Sequence, residues 1–336
     1  MLILGIESSC DDTCASVVEN GTIVHSNIIS SQNQFHEKYG GVVPEIASRK
    51  HLNVITEVID DALSTAGKKI EEIDLIAATA FHGLTGSLLV GLMAAKTIAY
   101  MKQKPFLALN HIEGHIYANY IDHPEISFPH ICLTVSGGHT LLILVKGHGK
   151  YEKLGETVDD SAGEAFDKTA QYLEIGFPGG PVIDKLAKEG NRDKYILPRP
   201  MLYKNNYQFS FSGLKTAVLN LIKELKDKEE NFQIQDICAS FQQAVVDVLV
   251  KKTMKAAKQY QAKAVTLSGG VAANSMLRQE FTKQCGKEKI EFYTPKIPYC
   301  MDNGAMIACL AYHRFRENGK TSPLSTNATA NISLFS

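Results

Sequence analysis

One pattern of strands and turns occurs twice in this sequence, and the repeat restricts the possible folds more than any other feature. Two apolar segments near the N-terminus, 2–6 and 15–18, flank a polar turn, which predicts a hairpin. A third strand is predicted after the next turn, and the apolar segment 75–80 predicts a short buried strand. This strand leads through a glycine-containing loop into a helical pattern at 88–100.

The second half of the chain has the same order of elements. Strands are predicted at 131–135 and 141–145, on either side of a turn rich in glycine and hydroxyl groups. A strand at 264–267 then runs through a Gly-Gly pair into a helix predicted at 272–284. Two copies of this unit predict a duplicated α/β domain, with two lobes and a cleft between them.

Helices are also predicted outside the repeat. Pro44 is placed to begin one at 46–66, and a rigid loop of glycine and proline opens another at 182–188. An apolar helical pattern predicts a third at 305–315.

The composition fits a soluble globular protein of one large or two ordinary domains. The chain has 336 residues, of which 44% are hydrophobic and 21% are charged. The 7 cysteines form no C-x-x-C pair, which is typical of a reducing compartment, and we expect a cytoplasmic location. The first apolar run ends at Glu7 without a basic segment before it, and the 88–100 pattern contains Lys96. Neither a signal peptide nor a membrane span is therefore predicted.

A formal net charge of -1 gives the chain no overall positive field that would hold nucleic acid. Contact with RNA would need a local patch or a partner, and its affinity should be modest and salt-sensitive. One basic stretch contains lysines 251, 252, 255, 258 and 263. Such a stretch is either a nucleic-acid patch or a solvated helix face, and the sequence leaves both interpretations open.

Two histidines, His111 and His115, are spaced as a helix presents two ligands to one metal ion. Positions i and i+4 lie one turn apart on the same helix face. In the metalloprotease pattern H-E-x-x-H the base directly follows the first histidine, whereas Glu113 is two residues on and points to another side. Asn110 with Glu113 instead predicts a capping box. Two partly exposed histidines without a metal remain the alternative.

Carboxylates elsewhere could belong to the same chemistry. Asp302 could complete a metal site with the histidine pair, although its place before a helix is also explained by an N-cap role. Asp11 and Asp12 could hold a cation or orient a nucleophile, although aspartate favours turns in any case. The acidic stretch Asp159 to Asp167 is either a solvated helix face or a contact for ribose hydroxyls or a cation.

Two glycine turns have the character of nucleotide-binding sites. The backbone N–H groups of the turn 136–140 could form an anion cavity, although Gly-Gly hairpins without a ligand are common. The segment 268–274 leads a strand into a helix, whose N-terminus suits a phosphate, and Asn274 could contact an adenine or ribose edge. A tight turn between strand and helix is the simpler alternative. Neither a P-loop nor a dinucleotide-binding fingerprint is present in the sequence.

Eight ordered motifs together resemble the universal tRNA threonylcarbamoyltransferase family, earlier described as O-sialoglycoprotein endopeptidases. They run from residue 5 to about residue 308 at compatible spacing, and the architecture is similar to the bacterial or organellar branch. The motifs are GIESSCDDT, GGVVPEIASRKH, NHIEGH, TVSGGHT, GEAFDKTAQYLEIGFPGGPVIDKLA, FSFSGLKTAV, SGGVAANSMLR and DNGAMIA.

The resemblance implies a duplicated actin-like ATPase fold, of the sugar-kinase and Hsp70-like, ribonuclease H-like kind, with an interlobe cleft. We expect an N-terminal lobe at 1–104, with a C-terminal helix at about 305–325 packing back on it. A second lobe at 105–304 would carry the metal and nucleotide motifs. One departure from the family is that Phe81-His82-Gly83-Leu84 stands where a Gly-Pro-Gly-Leu turn is usual.

The resemblance also implies a set of site residues. One metal ion, usually iron(II) with zinc as the alternative, would be held by His111, His115 and Asp302. Asp11 would lie near the reacting centre, and His139 is a second candidate catalytic residue. The nucleotide part of the substrate would lie among Thr134, Val135, Ser136, Gly137, Gly138, Asp167, Gly180, Asp184 and Asn274.

The implied reaction transfers an L-threonylcarbamoyl group from its adenylate to the exocyclic amine of adenosine 37, in tRNAs reading ANN codons, and releases AMP. The adenine nucleotide could be accompanied by magnesium. The implied partners are tRNA, a smaller paralogous actin-like subunit, a small P-loop ATPase and the synthase that supplies the adenylate. The sequence does not decide whether a homodimer forms.

Three other functions share parts of this pattern. A metalloprotease would use the histidine pair but lacks the adjacent glutamate. A non-catalytic ATP-binding scaffold would bind nucleotide without the histidines, and a sugar or acetate kinase would have no use for them. The apolar faces of the helices predicted at 46–66 and 88–100 are candidate partner surfaces, with core burial as the alternative.

Overall fold

The computed structural model describes residues 1–229, 231–332 and 334. The strands are β1 (Leu2–Glu7), β2 (Asp12–Glu19), β3 (Ile23–Ser31), β4 (Leu75–Phe81), β5 (Phe106–Asn110), β6 (His130–Val135), β7 (Thr140–Gly147), β8 (Lys150–Glu156), β9 (Ala264–Ser268) and β10 (Glu291–Tyr293). The helices are α1 (Asn33–His36), α2 (Pro44–Thr65), α3 (Thr85–Met101), α4 (His111–Asp122), α5 (Ala162–Tyr172), α6 (Gly179–Ala187), α7 (Ser212–Asp227), α8 (Ile234–Gln259), α9 (Ser275–Glu288) and α10 (Gly304–Asn318).

The chain divides into two compact units. The first contains residues 1–126 together with 295–336, and the second contains residues 127–294. The expected division after residue 104 differs from this one because β5 pairs with β4 and leads directly into α4. The histidine pair on α4 and the segment around Asp302 consequently lie in the same unit.

Each unit contains a mixed sheet with the same topology. Among the described residues, the first sheet has the order β3-β2-β1-β4-β5 and the second the order β8-β7-β6-β9-β10. In both, three antiparallel strands are followed by parallel ones, since β1 pairs parallel with β4 and β6 with β9. The duplication predicted from the sequence is confirmed by this identical strand order.

The first sheet is covered on both faces, which explains why its central strands are almost continuously buried. Leu4 and Ile6 of β1 belong to a buried cluster with residues of α2 and α3. The side chain between them would point the other way, and a Cβ at Gly5 would lie 2.3 Å from the carbonyl oxygen of Gly304. Glycine is therefore required at position 5, because α10 lies directly against the strand.

The boundary of one predicted helix differs in the structure. A 3-10 turn, Gly270–Ala273, precedes α9, which begins only at Ser275 because the side chain of Asn274 caps it. The second unit is built around α8, whose side chains are buried over most of its 26 residues. None of the helices in the described part of the chain combines the length and apolar character needed to cross a bilayer.

Candidate metal and nucleotide sites

The histidine pair lies at the beginning of a buried helix. β5 ends at Asn110, whose side-chain oxygen accepts hydrogen bonds from the N–H groups of Ile112 and Glu113 at 2.9 and 3.3 Å. This cap starts α4 at His111, so the two imidazoles project from its first two turns with their ring centroids 4.6 Å apart. His115 is fully buried and His111 is 5% exposed. The N-cap role of Asn110 is confirmed, whereas the Glu113 side chain pairs with Arg314.

Asp302 meets this pair from the segment before α10. Its Oδ1 lies 3.2 Å from Nε2 of His115 and 3.7 Å from Nε2 of His111. The neighbouring Asn303, and not Asp302, caps the helix, since its Oδ1 accepts from the N–H of Met306 at 2.8 Å. The N-cap explanation of Asp302 is therefore wrong, because the adjacent amide performs that role and the carboxylate faces the imidazoles.

The chemistry of the three side chains fits a metal ion. One ligand atom from each of His111, His115 and Asp302 lies within 4.8 Å of the others. Neither ring nitrogen of His115 makes a hydrogen bond to any residue that the structure describes, although both are buried. A buried imidazole without such a bond is costly unless it binds something else. Two imidazoles and a carboxylate form a set that iron(II) and zinc accept.

Glu7 holds the other side of the first histidine. Nδ1 of His111 lies 3.1 Å from Oε2 of Glu7 and 2.9 Å from Oγ of Ser9. The carboxylate is fully buried and also accepts bonds from the Ser9 N–H and the Thr79 hydroxyl, both at 2.5 Å. Burial alone would raise the pKa of Glu7, but the neighbouring His111 ring holds it below the ordinary value. Burial lowers the pKa of His111, yet Asp302 and Glu7 raise it to about 9.

Glu113, the acid nearest to the histidines in sequence, is engaged elsewhere. Its Oε1 forms an ion pair with the Arg314 guanidinium at 2.5 Å, and its side chain is only 4% exposed. Arg314 belongs to α10, so this pair ties that helix to α4. A protease of the H-E-x-x-H type needs its glutamate as a base beside the metal. Because Glu113 is paired with Arg314, it does not provide such a base.

Asp11 lies on the loop after β1 and Asp12 begins β2, in the same unit as the metal ligands. Burial raises the pKa of Asp11 above its ordinary value, and the charge of Asp302 adds to the effect. The same causes raise the pKa of Asp12 to about 7. His51 fixes the loop, since its Nε2 donates to the Cys10 carbonyl at 3.0 Å and its Nδ1 accepts from Thr13 at 2.7 Å. Both carboxyl groups are close enough to Asp302 for its charge to raise their pKa.

The unusual turn after β4 adopts a conformation that proline cannot. His82 has a φ of 68°, whereas the proline ring fixes φ near -65°. The N–H of His82 donates to the Thr329 carbonyl at 3.1 Å, and the N–H of Leu84 donates to the Ser9 carbonyl at 2.7 Å. A proline in place of His82 would therefore not fit the backbone of this turn.

In the second unit, hydrogen bonds fix the turn between β6 and β7, and its two glycines have open space around them. The N–H of Ser136 donates to the His139 carbonyl at 2.8 Å. Thr134 and Val135 are fully buried, and Oγ1 of Thr134 lies 2.9 Å from Oγ of Ser268. A Cβ on Gly137 or Gly138 would meet no atom within 4 Å. The space around these two glycines lets a ligand approach the backbone of the turn. His139 closes this turn and thus lies in the second unit.

The other predicted nucleotide residues are joined by hydrogen bonds to neighbouring elements. Oδ1 of Asp167 accepts from the N–H of Gly179 at 2.7 Å, which positions the start of α6. Oδ1 of Asp184 accepts from the N–H and the hydroxyl of Ser275 at 3.2 and 2.9 Å. A Cβ on Gly180 would meet no atom within 4 Å. These contacts connect α6 to the start of α9.

Asn274 uses both ends of its amide within the protein. Oδ1 accepts from the N–H of Leu277 at 2.9 Å, and Nδ2 donates to Oε1 of Gln242 at 2.7 Å. The side chain is 7% exposed. Its first role is therefore to orient the helix N-terminus of α9, and a contact with nucleotide would use what remains of its hydrogen-bonding capacity.

Most of the acidic stretch from Asp159 to Asp167 has a structural role. Asp159 accepts hydrogen bonds from the N–H of Phe211 and the hydroxyls of Ser210 and Ser212 at the start of α7. Nζ of Lys215 lies 2.5 Å from Asp160, and Nζ of Lys168 lies 2.5 Å from Glu164. These charges are neutralised locally, which leaves Asp167 as the member of the stretch near the glycine loop of α6.

Sequence reasoning did not identify Glu7, Ser9 or Thr79. The signal was available, because Glu7 ends an apolar strand and a charged residue in a buried strand needs a partner. The partner, His111, is distant in sequence, and parallel pairing of β1 with β4 brings Thr79 beside Glu7. Only the sheet order makes this network visible.

Comparison with known proteins identifies the family. The model of the family described as tRNA N6-adenosine threonylcarbamoyltransferase matches residues 23–309. The protein of that name from Caldicellulosiruptor saccharolyticus is 53% identical over 336 residues, covering 100% of this chain and 99% of its own. The one from Clostridioides difficile is 50% identical over 334 residues, covering 99% and 98%.

Solved structures of distant proteins share the fold. Component A of (R)-2-hydroxyglutaryl-CoA dehydratase from Acidaminococcus fermentans aligns with a TM-score of 0.56 at 17% identity, over 94% of this chain and 98% of that one. Full-length HypF in its phosphate- and nucleotide-bound form aligns with a TM-score of 0.62 at 15% identity, over 95% of this chain and 47% of that one. The predicted duplicated actin-like fold is confirmed by these likenesses. By the family model and by identity over its whole length, the chain belongs to the tRNA N6-adenosine threonylcarbamoyltransferase family.

Proposed function

We propose that this chain transfers an L-threonylcarbamoyl group from threonylcarbamoyl-adenylate to the exocyclic amine of adenosine 37 in tRNAs that read ANN codons, with release of AMP. The observation that carries the proposal is the approach of His111, His115 and Asp302 within 4.8 Å, in a chain of this family. The reaction is an acyl transfer with a good leaving group, so positioning supplies most of the acceleration.

In the first unit, His111, His115 and Asp302 would hold the metal ion, and the donor set favours iron(II), with zinc as the alternative. When bound, such an ion supplies a Lewis acid that polarises the anhydride of the adenylate. Glu7, whose Oε2 lies 3.1 Å from Nδ1 of His111, would hold a proton on that nitrogen and leave Nε2 for the ion. Asp11, on a loop fixed by His51, is the candidate to orient the reacting amine.

In the second unit, the nucleotide part of the substrate would lie over the open turn from Thr134 to Gly138. Backbone N–H groups there can bind the phosphate, since Gly137 and Gly138 place no side chain in its way. Asp167, Gly180, Asp184 and Asn274 would surround the nucleoside. His139, which fixes the turn through its carbonyl oxygen, is proposed to act beside it. A magnesium ion could accompany the phosphate.

We further propose that the chain works in the cytoplasm with a smaller paralogous subunit, a P-loop ATPase and the synthase that makes the adenylate. The surface for the paralogue would be the outer face of α2 and α3. Large apolar side chains are exposed there, among them Leu52 at 65%, Met93 at 51% and Tyr100 at 70%. A second copy of this chain could occupy the same face and form a homodimer.

Reconstitution tests the proposed function. The chain is incubated with a tRNA that reads ANN codons and with chemically made adenylate, and the digested tRNA is analysed for the modified nucleoside. We expect threonylcarbamoyl-adenosine to form with release of AMP. The same reaction is run with and without candidate partners. A complete mixture that forms no modified nucleoside, although the chain binds metal and AMP, would contradict the proposal.

A further inference from the structure

A group of lysines in the second unit lies around one exposed loop. Lys252 is only 2% exposed, and its Nζ bonds to the backbone oxygen of Asn206 at 3.0 Å and to its side-chain oxygen at 3.3 Å. Lys255, one turn further along α8, bonds to the side chain of Asn205 at 2.8 Å. Lys204 precedes these asparagines on the loop. The loop is thus bound to the basic face of α8.

The positive charges in this group are not neutralised by neighbouring acids. Within the described part of the chain, Lys204, Lys251 and Lys255 form no ion pair with a carboxylate, whereas Lys258 on the same helix pairs with Glu288 at 2.8 Å. Burial, together with the like charges of Lys255 and Lys204, lowers the pKa of Lys252 to about 8. Like charges gathered without acids favour binding of a polyanion.

An aromatic side chain stands beside these charges. Tyr203 directly precedes Lys204 on the loop, and its side chain is 91% exposed. Tyr207, at the other end of the loop, is fixed by a bond from its hydroxyl to Oε1 of Gln259 at 2.6 Å, and Nζ of Lys255 lies 5.8 Å from its ring centroid. An exposed aromatic ring next to lysines is the arrangement that stacks an unpaired base while the ammonium groups contact phosphates.

We propose that Tyr203, Lys204, Lys251 and Lys255 form a patch that binds the backbone and an unpaired base of the tRNA substrate. Lys251 and Lys255 are one helical turn apart and therefore face the same side. The sequence suggested a run of lysines along one helix. In the structure Lys252 is buried and Lys258 is paired with Glu288, so neither belongs to the patch. The loop residues Tyr203 and Lys204 belong to it instead. The proposal rests on the proposed function, because that function makes tRNA the polyanion.

Binding of a labelled tRNA transcript to the full chain, followed by fluorescence anisotropy over a series of salt concentrations, tests the patch. For Lys204→Ala with Lys255→Ala, we expect about tenfold weaker binding and a salt slope reduced by about 1.5, since each lost phosphate contact removes roughly 0.7–0.9. Tyr203→Ala should weaken binding about tenfold with the slope unchanged, and Tyr203→Phe should retain it.

Lys223→Ala with Lys226→Ala is the matched control, because both lysines are exposed on α7 of the same unit and the net charge changes equally. The control should bind tRNA as the unaltered chain does, and all variants should bind AMP normally. An equal loss in the control, an unchanged slope in the patch variant, or no tRNA binding by the unaltered chain at low salt would overturn the patch. Transfer activity of the unaltered chain is measured separately. If the patch variants weaken tRNA binding as expected but the unaltered chain transfers no threonylcarbamoyl group, the proposed function is contradicted and the patch is not.

Discussion

Nδ1 of His111 lies 3.1 Å from the Glu7 carboxylate, while Nε2 of the same ring lies 3.7 Å from Asp302. A carboxylate that accepts the Nδ1 proton fixes the tautomer, so that the lone pair of Nε2 faces the proposed metal position. Glu7 is itself held by the Ser9 N–H from the loop after β1 and by the Thr79 hydroxyl from β4. The rigid end of the sheet therefore orients a ligand on the neighbouring helix.

Replacing Glu7 by glutamine should weaken metal binding by about 10- to 100-fold, because loss of such a partner commonly costs that much in metal affinity. The amide keeps the volume of the carboxylate, so we expect the circular dichroism spectrum to stay unchanged. Competition with a chelating dye measures the affinity. Glu57→Gln, on the exposed face of α2, is the control and should bind metal normally. Equal affinities for the two variants would show that Glu7 does not position the histidine.

His111→Ala should lose both bound metal and transfer activity while it keeps its fold. The imidazole is one of three ligands, and two ligands hold a first-row metal far more weakly than three. Metal content after desalting and nucleoside analysis of tRNA measure the two effects. His123→Ala, at the end of the same helix, should keep both properties. Unaltered turnover by the His111 variant without bound metal would refute the role of this ligand.

The sequence predicted the elements of the site better than it predicted the hydrogen bonds within it. Helical spacing of 111 and 115 was sufficient to place both imidazoles on one face, since local geometry determines it. The roles of Asp302 and Asn303 could not be separated, because either side chain is a good N-cap and only the backbone at Asn303 decides. Glu7 was missed for a related reason, since its partner is distant in sequence.

Substitution by alanine should lower the stability of the fold at Gly269 and weaken nucleotide binding at Gly137. Gly269 has a φ of 85°, and a Cβ there would lie 2.3 Å from the Val135 carbonyl oxygen, so Gly269→Ala should destabilise the fold by about 2–4 kcal/mol. Gly137→Ala meets no atom within 4 Å and should keep its thermal midpoint but bind AMP more weakly. Thermal denaturation and AMP titration distinguish them. Tight AMP binding by Gly137→Ala would exclude this turn as the phosphate site.

His130 should make the stability of the protein depend on pH. This side chain of β6 is fully buried, and burial lowers its pKa from 6.5 to about 4, with the charge of His148 acting in the same direction. Below pH 6.5 the unfolded chain takes up a proton at this histidine, whereas the folded chain does so only near pH 4. Stability from this group is therefore complete above pH 6.5 and falls as the pH decreases towards 4.

Between about pH 7.5 and pH 5 the loss should amount to about 2 kcal/mol, at 1.36 kcal/mol for each pH unit below 6.5. His130→Gln removes the titrating group and retains a polar side chain at that position. Over this pH range the unfolding free energy of the variant should therefore fall by about 2 kcal/mol less than that of the unaltered chain. Urea denaturation followed by circular dichroism, at several pH values, measures both proteins. If the two pH profiles are parallel, His130 does not bind its proton differently in the folded and unfolded states.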